Sequence, residues 1–282
     1  MRRTTTAALG LATAALLAAC GQADPGQPAP PTHDPGLAHV HGLGVDPADG
    51  TLYAASHHGL FRVPENGKPE RVGTLRQDTM GFTVVGPHHF LGSGHPDPTD
   101  EDAPRHLGLV ESTDAGRTWT SLSLAGQADF HALEAKHGSV YGYDSQTGRL
   151  AVTADRRNWD RRAQVEAVDF AVSPTTPDVL LATTAQGVAR STDGGRTFTA
   201  VAGAPVLQLL DWPADATIVG VAPDGTVRTS ADGGTTWTRH GTVPGRPAAL
   251  ATNGPAEVFL ATDDAIHRSK DGGRTFTTQA LA

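Results

Sequence analysis

A short pattern, S-x-D-x-G-x-T-[WF], recurs four times along the chain and constrains its fold more than any other feature. Its copies are centred on Asp114, Asp193, Asp232 and Asp271, and the last three are each 39 residues apart. The longer step of 79 residues from Asp114 to Asp193 spans two periods, and the degenerate segment 153–159 lies where the intermediate copy is due. A fixed period of about 40 residues is typical of a repeat architecture.

Each copy has the chemistry of a tight turn between two strands. The sequence Asp-Gly-Gly or Asp-Ala-Gly lies at its centre. Glycine adopts a positive φ easily, and an aspartate side chain accepts hydrogen bonds from nearby backbone N–H groups. Threonine and an aromatic residue follow, and both favour strands. We therefore interpret Asp114, Asp193, Asp232 and Asp271 as structural turn residues, and we expect the aromatic residue to pack between neighbouring sheets.

The pattern resembles the Asp-box, or BNR, repeat of sialidases and related β-propellers. The resemblance implies that each box joins the third and fourth strands of a blade, on the face away from the active site. Between residues 37 and 282, short alternating strands and Gly/Pro turns form six units. Their innermost strands are predicted near His39, Met80, Phe130, Phe170, Val206 and Ala248. The sequence thus predicts an all-β fold, a six-bladed β-propeller of four-stranded antiparallel blades.

Residues 1–20 have the pattern of a lipoprotein signal peptide. Met1-Arg2-Arg3 precedes an apolar run too short to span a membrane, and the segment ends in Leu-Ala-Ala-Cys-Gly, which is similar to a bacterial lipobox. Cys20 is the only cysteine of the chain, so its predicted role is lipid attachment. The five prolines of residues 21–36 predict an extended tether. We therefore expect a propeller domain, residues 37–282, anchored to the cell membrane on its extracytoplasmic side.

The charge pattern argues against one class of partner. The net charge is −8, and no basic stripe or basic segment interleaved with aromatic residues occurs. Proteins that bind nucleic acid neutralise phosphates with clustered Lys and Arg. Nucleic acid is therefore not a predicted partner.

The sequence assigns no catalytic residue. Phe61-Arg62-Val63-Pro64 resembles the F-R-I-P motif of sialidases, but its position before a turn places Arg62 on a third strand, whereas the arginine of that family lies on an innermost strand. None of the three tyrosines has an evident glutamate partner of the kind that a sialidase nucleophile needs. If the protein is nevertheless a carbohydrate-active enzyme, the acids to inspect are Asp129, Asp144 and Asp169.

Histidine is concentrated in the first half of the chain, where 11 of the 13 lie at or before His137. In a propeller, the loops that enter the innermost strands and the loops that join strands two and three share the face opposite the boxes. Several histidines and one methionine fall at these positions in the first three units. The set predicted to converge there is His39, His41, His57, His58, Met80, His95 and His131.

This set has the chemistry of a metal site. Imidazole suits copper, zinc, iron or nickel, and the thioether of Met80 favours copper, particularly Cu(I). The predicted inner ligands are His39, His41 and His131. His57, His58 and His95 are predicted as loop ligands or their hydrogen-bond partners, and no role is predicted for His88, His89, His106 or His137.

Other interpretations of the same face stay open. It can bind an anionic or sugar ligand, or serve as a pH-sensitive docking patch. The segments HVHGLGVDP, ASHHGLFR and DFHAL resemble a group of bacterial Asp-box lipoproteins named as sialidase-like or glycosyl-hydrolase-like proteins. The repeat architecture is more distantly similar to photosystem-assembly propellers, which bind protein partners. These resemblances imply a binding or assembly role, and a protein-assembly scaffold is the third function class considered.

Overall fold

The computed structural model describes residues 36–281, and these residues form a β-propeller. The predicted signal peptide, Cys20 and residues 21–35 of the predicted tether lie outside the described residues. Residues 36–281 contain strands, turns and loops, and no helix among them is long and apolar enough to cross a membrane.

Six sheets of four antiparallel strands follow one another along the chain, each with its strands in sequence order. Blade 1 contains β1 (Val40–Val45), β2 (Leu52–Ser56), β3 (Gly59–Val63) and β4 (Glu70–Arg71). Blade 2 contains β5 (Asp78–Gly86), β6 (His89–His95), β7 (Leu109–Ser112) and β8 (Thr120–Ser123). Blade 3 contains β9 (Phe130–Lys136), β10 (Ser139–Asp144), β11 (Arg149–Thr153) and β12 (Asp160–Gln164).

The second half of the ring repeats this arrangement. Blade 4 contains β13 (Ala167–Val172), β14 (Leu180–Thr184), β15 (Gly187–Ser191) and β16 (Thr199–Ala200). Blade 5 contains β17 (Leu209–Ala214), β18 (Thr217–Val221), β19 (Thr226–Ser230) and β20 (Thr238–Thr242). Blade 6 contains β21 (Pro247–Asn253), β22 (Glu257–Thr262), β23 (Ala265–Ser269) and β24 (Thr277–Leu281). The predicted fold class, six blades of four strands, is confirmed.

Within residues 36–281, the ring closes without a strand shared between blades. The innermost strand of blade 1, β1, lies against the innermost strands of both blade 2 and blade 6. Blades 1 and 6 each have four strands from one continuous segment. Neighbouring blades are therefore joined mainly by side-chain packing, because no backbone ladder runs from one blade to the next.

The four boxes have one hydrogen-bond pattern, and each joins the third and fourth strands of its blade. In the box of blade 4, the Ser191 hydroxyl donates to Asp193 Oδ1 (2.8 Å) and accepts from the Gly195 N–H (2.8 Å). Asp193 also accepts from the Thr197 N–H (3.0 Å) and hydroxyl (2.6 Å). The boxes of Asp114, Asp232 and Asp271 repeat these four bonds.

The degenerate copy in blade 3 keeps part of this pattern. The Thr153 hydroxyl replaces that of serine and donates to Asp155 Oδ1 at 3.1 Å. Asn158 replaces the threonine and donates from both its backbone N–H (2.7 Å) and its side-chain amide (2.7 Å). Four boxes therefore form the same hydrogen-bonded turn, and the degenerate copy forms a related one.

The aromatic residue that ends each box packs against the preceding blade. One apolar cluster lies at each of the six interfaces between blades. Five of the clusters include a box aromatic, from blades 2 to 6 in turn: Trp119, Trp159, Phe198, Trp237 and Phe276. The repeat therefore supplies both the turn and the side chain that joins its blade to the preceding sheet.

Blade 1 has no box, so its interface with blade 6 is built differently. Leu37, Phe61 and Phe259 are buried there in one apolar cluster. At the rim, Glu65 of blade 1 accepts from Arg268 (2.7 Å) and Lys270 (3.1 Å) of blade 6. Apolar packing closes this interface, because such exposed ion pairs contribute little.

Candidate functional site

Bulges at equivalent places in the innermost strands direct side chains towards the centre of the ring. The register of β1 shifts between Val40 and Gly42, which leaves His41 as the extra residue. The same shift occurs at Met80 in β5 and at His131 in β9. A β-bulge turns a side chain out of the regular alternation and is common beside functional sites. His41, Met80 and His131 all line a central cavity of about 680 Å³.

One group of candidate ligands surrounds Asp78, the first residue of β5. His41 Nε2 lies 3.4 Å from Asp78 Oδ1, and His57 Nδ1 lies 3.2 Å from Asp78 Oδ2. His95 is paired with Asp78 across the β5–β6 ladder, and its Nδ1 lies 3.3 Å from Asp78 Oδ2. His41 Nε2 and His57 Nδ1 are themselves 3.4 Å apart. Three imidazoles from blades 1 and 2 thus converge on one carboxylate.

A second group surrounds Asp129, just before β9. His131 Nε2 lies 3.0 Å from Asp129 Oδ2, and His95 Nε2 lies 3.6 Å from the same oxygen. His106 Nδ1, from the loop between β6 and β7, lies 3.7 Å away. Ser145 donates a hydrogen bond to Asp129 Oδ2 at 3.1 Å. The side chain of Asp129 is 3% exposed, so this carboxylate is deeply buried at the base of the group.

Both groups contain buried polar atoms that lack a hydrogen-bond partner. Asp78 Oδ1, Asp129 Oδ1 and His106 Nδ1 are all in this state within the described residues. A buried polar atom without a partner costs free energy, so native proteins rarely keep one without a reason. His41, His57 and Asp78 form one set that could hold a metal ion, and His95, His106 and Asp129 form another.

The electrostatics favour ionised carboxylates at both places. Burial alone would raise the pKa of Asp78, but hydrogen bonding and charge from His41, with His95 and His57, lower it below its usual range. Burial likewise opposes ionisation of Asp129, and His131 and His95 lower its pKa. Carboxylate oxygens and imidazole nitrogens together form a donor set that suits a divalent transition metal.

The remaining predicted site residues lie around these groups. The ring centroid of His39 is 5.8 Å from that of His57, and the centroid of His58 is 5.6 Å from it. Burial and the neighbouring His57 lower the pKa of His58. His41, His57 and His95 belong to the two candidate ligand sets of the described residues, whereas His39, His58 and His131 do not. His131 nevertheless lies 3.0 Å from Asp129 Oδ2. Met80 lines the cavity beside His41 and His131.

Sequence reasoning missed Asp78 and His106, and it named Asp129 only as an acid to inspect in a carbohydrate-active enzyme. Asp78 precedes Met80 by two residues, and His106 lies in the same long loop that follows His95. A search for carboxylates at the entrance to each innermost strand could have found Asp78. His88, His89 and His137, which were predicted to have no role here, instead contact Asp46, Glu111 and the Ser173 carbonyl.

A third polar group lies in the central cavity and contains Glu134, Lys136, Asp169 and Asp211. Lys136 Nζ lies 2.6 Å from Glu134 Oε1 and donates to the Val172 and Trp212 carbonyls. Burial raises the pKa of Asp169 to about 7, against hydrogen bonds from the Leu210 and Phe170 N–H groups. Burial also raises the pKa values of Glu134 and Asp211.

Asp144 and Arg62 make structural contacts. Asp144 accepts from the backbone of Asp129 and Gln146 and from the Thr147 hydroxyl, within a turn. Arg62 lies on β3, the third strand of blade 1, as its register predicted, and it pairs with Glu70 at 2.7 Å. The resemblance of its segment to a sialidase motif therefore provides no substrate-binding arginine at the cavity.

Comparisons with known proteins identify the fold. No model of a known protein family matches this chain, and no curated protein matches it. Among solved structures, it is similar to a gluconolactonase from Xanthomonas campestris, at 14% identity over 81% of this chain and 84% of that chain, with a TM-score of 0.65. It is also similar to YCF48 bound to D1 peptide, at 18% identity over 86% and 83% of the two chains, with a TM-score of 0.54.

A third similar structure is a GH74 enzyme from Niastella koreensis, at 15% identity and a TM-score of 0.62. The match covers 88% of this chain and 46% of the enzyme, so this chain spans about half of that protein. At these identities the likeness shows the propeller fold alone, because one fold supports many functions.

Proposed function

We propose that this protein is a lipid-anchored, extracytoplasmic binding protein that coordinates a transition metal on its histidine-rich face, with copper as the favoured metal. The observation that carries this proposal is a pair of carboxylates, the partly buried Asp78 and the buried Asp129, each surrounded by three imidazoles and each with one buried oxygen lacking a hydrogen-bond partner. A bound cation would use those oxygens and the imidazole lone pairs together.

Copper is favoured by the types of donor. Imidazole and carboxylate bind Cu(II) more tightly than the other divalent metals of the first row, following the Irving–Williams order. The thioether of Met80 lines the same cavity as His41 and His131 and would be a soft contact for Cu(I). We therefore assign Met80 the role of an auxiliary ligand for the reduced ion.

The anchoring part of the proposal rests on the sequence of residues 1–36. The basic start, the short apolar run and Cys20 after Leu-Ala-Ala favour lipidation, and the proline-rich segment favours a spacer. A metal-binding domain held outside the cell membrane would meet copper ions before they reach the cytoplasm.

The main alternative is a carbohydrate-active enzyme of the glycosyl-hydrolase-like class. Asp169, with its pKa raised to about 7, lines the cavity and is suited to general acid catalysis. YCF48 was solved with a D1 peptide, and a protein-assembly role is the second alternative. A glycan screen with Asp169→Asn as the inactive control tests the first, and a partner pull-down tests the second.

The first experiment is a metal titration of the full chain, purified without an affinity tag and carrying Cys20→Ser so that its lone thiol cannot bind copper. Cu(II), Cu(I) and Zn(II) are each added, and bound metal is measured by elemental analysis after dialysis. The test variant is His41→Ala/His131→Ala. The matched control is His240→Ala, because His240 lies on β20 and bonds Thr229.

We expect tight stoichiometric copper binding by the parent chain and the His240→Ala control, and much weaker binding by His41→Ala/His131→Ala. Met80→Leu should weaken Cu(I) binding and leave Cu(II) binding unchanged. If parent and double variant bind the same small amount of every metal, the metal-binding function is wrong.

A further inference from the structure

The two carboxylate groups share one side chain, His95. Its Nδ1 faces Asp78 Oδ2 at 3.3 Å, and its Nε2 faces Asp129 Oδ2 at 3.6 Å. We propose that this face binds two metal ions at once and that the imidazole of His95 bridges them. This inference rests on the proposed metal-binding function and adds to it the number of ions and the way in which they are coupled.

The first ion would lie among His41, His57, Asp78 and His95. A tetrahedral ion with ligand atoms at about 2.0–2.2 Å keeps those atoms about 3.3–3.6 Å from one another. The separations are 3.4 Å for His41 Nε2 to His57 Nδ1, 3.4 Å for His41 Nε2 to Asp78 Oδ1, and 3.2 Å for His57 Nδ1 to Asp78 Oδ2. His41, His57 and the two oxygens of Asp78 therefore have nearly the spacing of a coordination shell, and His95 Nδ1 lies 3.3 Å from Asp78 Oδ2.

The second ion would lie among His95, His106, Asp129 and His131. Their nitrogens lie 3.6, 3.7 and 3.0 Å from Asp129 Oδ2. The ring centroids of His95 and His106 are 5.4 Å apart. Asp129 Oδ1 and His106 Nδ1 are buried and lack hydrogen-bond partners, and an ion would engage both of these residues.

The geometry of His95 supports a bridge. Its two ring nitrogens face different carboxylates, one in each group. An ion on each side would bind one nitrogen, and the ring proton of a neutral imidazole would leave to solvent, because both lone pairs are then used. The ions would be about 6 Å apart, given the metal–nitrogen distances.

The bridge would also connect three blades. His41 and His57 belong to blade 1, His95 and His106 to blade 2, and His131 to blade 3. Because neighbouring blades share no strand, ions at these two places would add strong bonds between sheets that otherwise meet through side-chain packing.

The test is a copper count combined with electron paramagnetic resonance on the Cu(II)-loaded full chain in the Cys20→Ser background. We expect two coppers per chain in the parent and one in each half-site variant, His41→Ala/His57→Ala and His106→Ala/His131→Ala. An imidazolate bridge couples the two Cu(II) spins, so the integrated signal of the parent should be well below two spins. His95→Ala should give uncoupled spins in proportion to its bound copper, and His240→Ala should behave as the parent.

The outcomes separate this inference from the function on which it rests. One copper in the parent, lost in either half-site variant, overturns the two-ion site and leaves the metal-binding function standing. Two coppers with a full two-spin signal overturn the bridge by His95. No copper above the background of the half-site variants overturns both.

Discussion

The box of blade 4 offers a stability test whose size follows from the structure. In Ser191→Ala, the lost hydroxyl is the acceptor of the Gly195 N–H at 2.8 Å and a donor to Asp193. Ser191 is 1% exposed, and its bond to Gly195 is buried, so water cannot easily replace the hydroxyl. Asp193 keeps its bonds from the Thr197 N–H and hydroxyl, and its own N–H loses a longer bond to the Ser191 hydroxyl (3.3 Å). The main loss is therefore the unsatisfied Gly195 donor.

The expected cost follows from that one donor. Leaving a buried N–H group without an acceptor costs about 1–3 kcal/mol of the free energy of unfolding. For a domain of this size, 2 kcal/mol corresponds to a decrease in Tm of about 4–8 °C. The degenerate box supplies the control, because the Thr153 hydroxyl bonds Asp155 without accepting from a glycine N–H. Thr153→Val removes that hydroxyl at similar volume and should cost about 0.5–1.5 kcal/mol.

The assay is urea unfolding followed by tryptophan fluorescence, with a thermal scan of the same samples. Ser191→Ala and the equivalent Ser230→Ala should lose similar amounts, because their boxes have the same bonds. A loss below about 0.5 kcal/mol in both, or equal losses in Ser191→Ala and Thr153→Val, would contradict the role given to the glycine N–H.

Three further predictions concern pH and backbone strain. Hydrogen bonds from the Thr236 hydroxyl and N–H lower the pKa of Asp232 to about 2. The stability from its ionisation is therefore fully present above the unfolded pKa of about 4 and is lost as pH falls through 2. In Asp232→Asn, the urea midpoint should change less between pH 4 and 2. The pKa of Asp169, raised to about 7, means that the folded state holds a proton that the unfolded state releases above about pH 4; stability should fall between pH 4 and 7, and less so in Asp169→Asn. Gly94 has φ +139°, and a Cβ there would lie 2.1 Å from the Asp78 carbonyl oxygen, so Gly94→Ala should lower both Tm and the amount of bound copper. At Gly254 a Cβ would meet no atom within 4 Å, so Gly254→Ala should lower Tm less.

Much of the fold could be predicted because the repeat encodes it locally. A box needs a serine, an aspartate, a glycine and a threonine at fixed spacing, and each of these residues has one role in a single turn. Four boxes therefore indicate the period and the box face, and the six strand–turn units of residues 37–282 indicate the blade count. The closure of the ring was not predictable in this way, since blade 1 has no box and meets blade 6 through residues such as Phe61 and Phe259.

The candidate site was predicted only in part, because its geometry depends on contacts between blades. Alternation along a regular strand places His39 and His41 on one side, but the bulge at His41 changes the direction of its side chain. His106 was passed over because nothing local shows that its loop folds back towards Asp129. The pairing of Asp78 with His95 follows from the β5–β6 register, which the sequence alone does not give.

Each blade is formed by one continuous segment, so the chain can be cut between two blades without dividing a sheet. A break in the loop between β12 and β13 would cut the chain without separating any paired strands, and would leave two arcs of three complete blades. At the cut, blades 3 and 4 would associate again through the packing of Leu150 with Leu180 and the hydrogen bond from the Val172 N–H to Glu134. The first arc would carry both histidine–aspartate groups. The propeller is thus suited to fragment complementation, with all the candidate ligands delivered by one fragment.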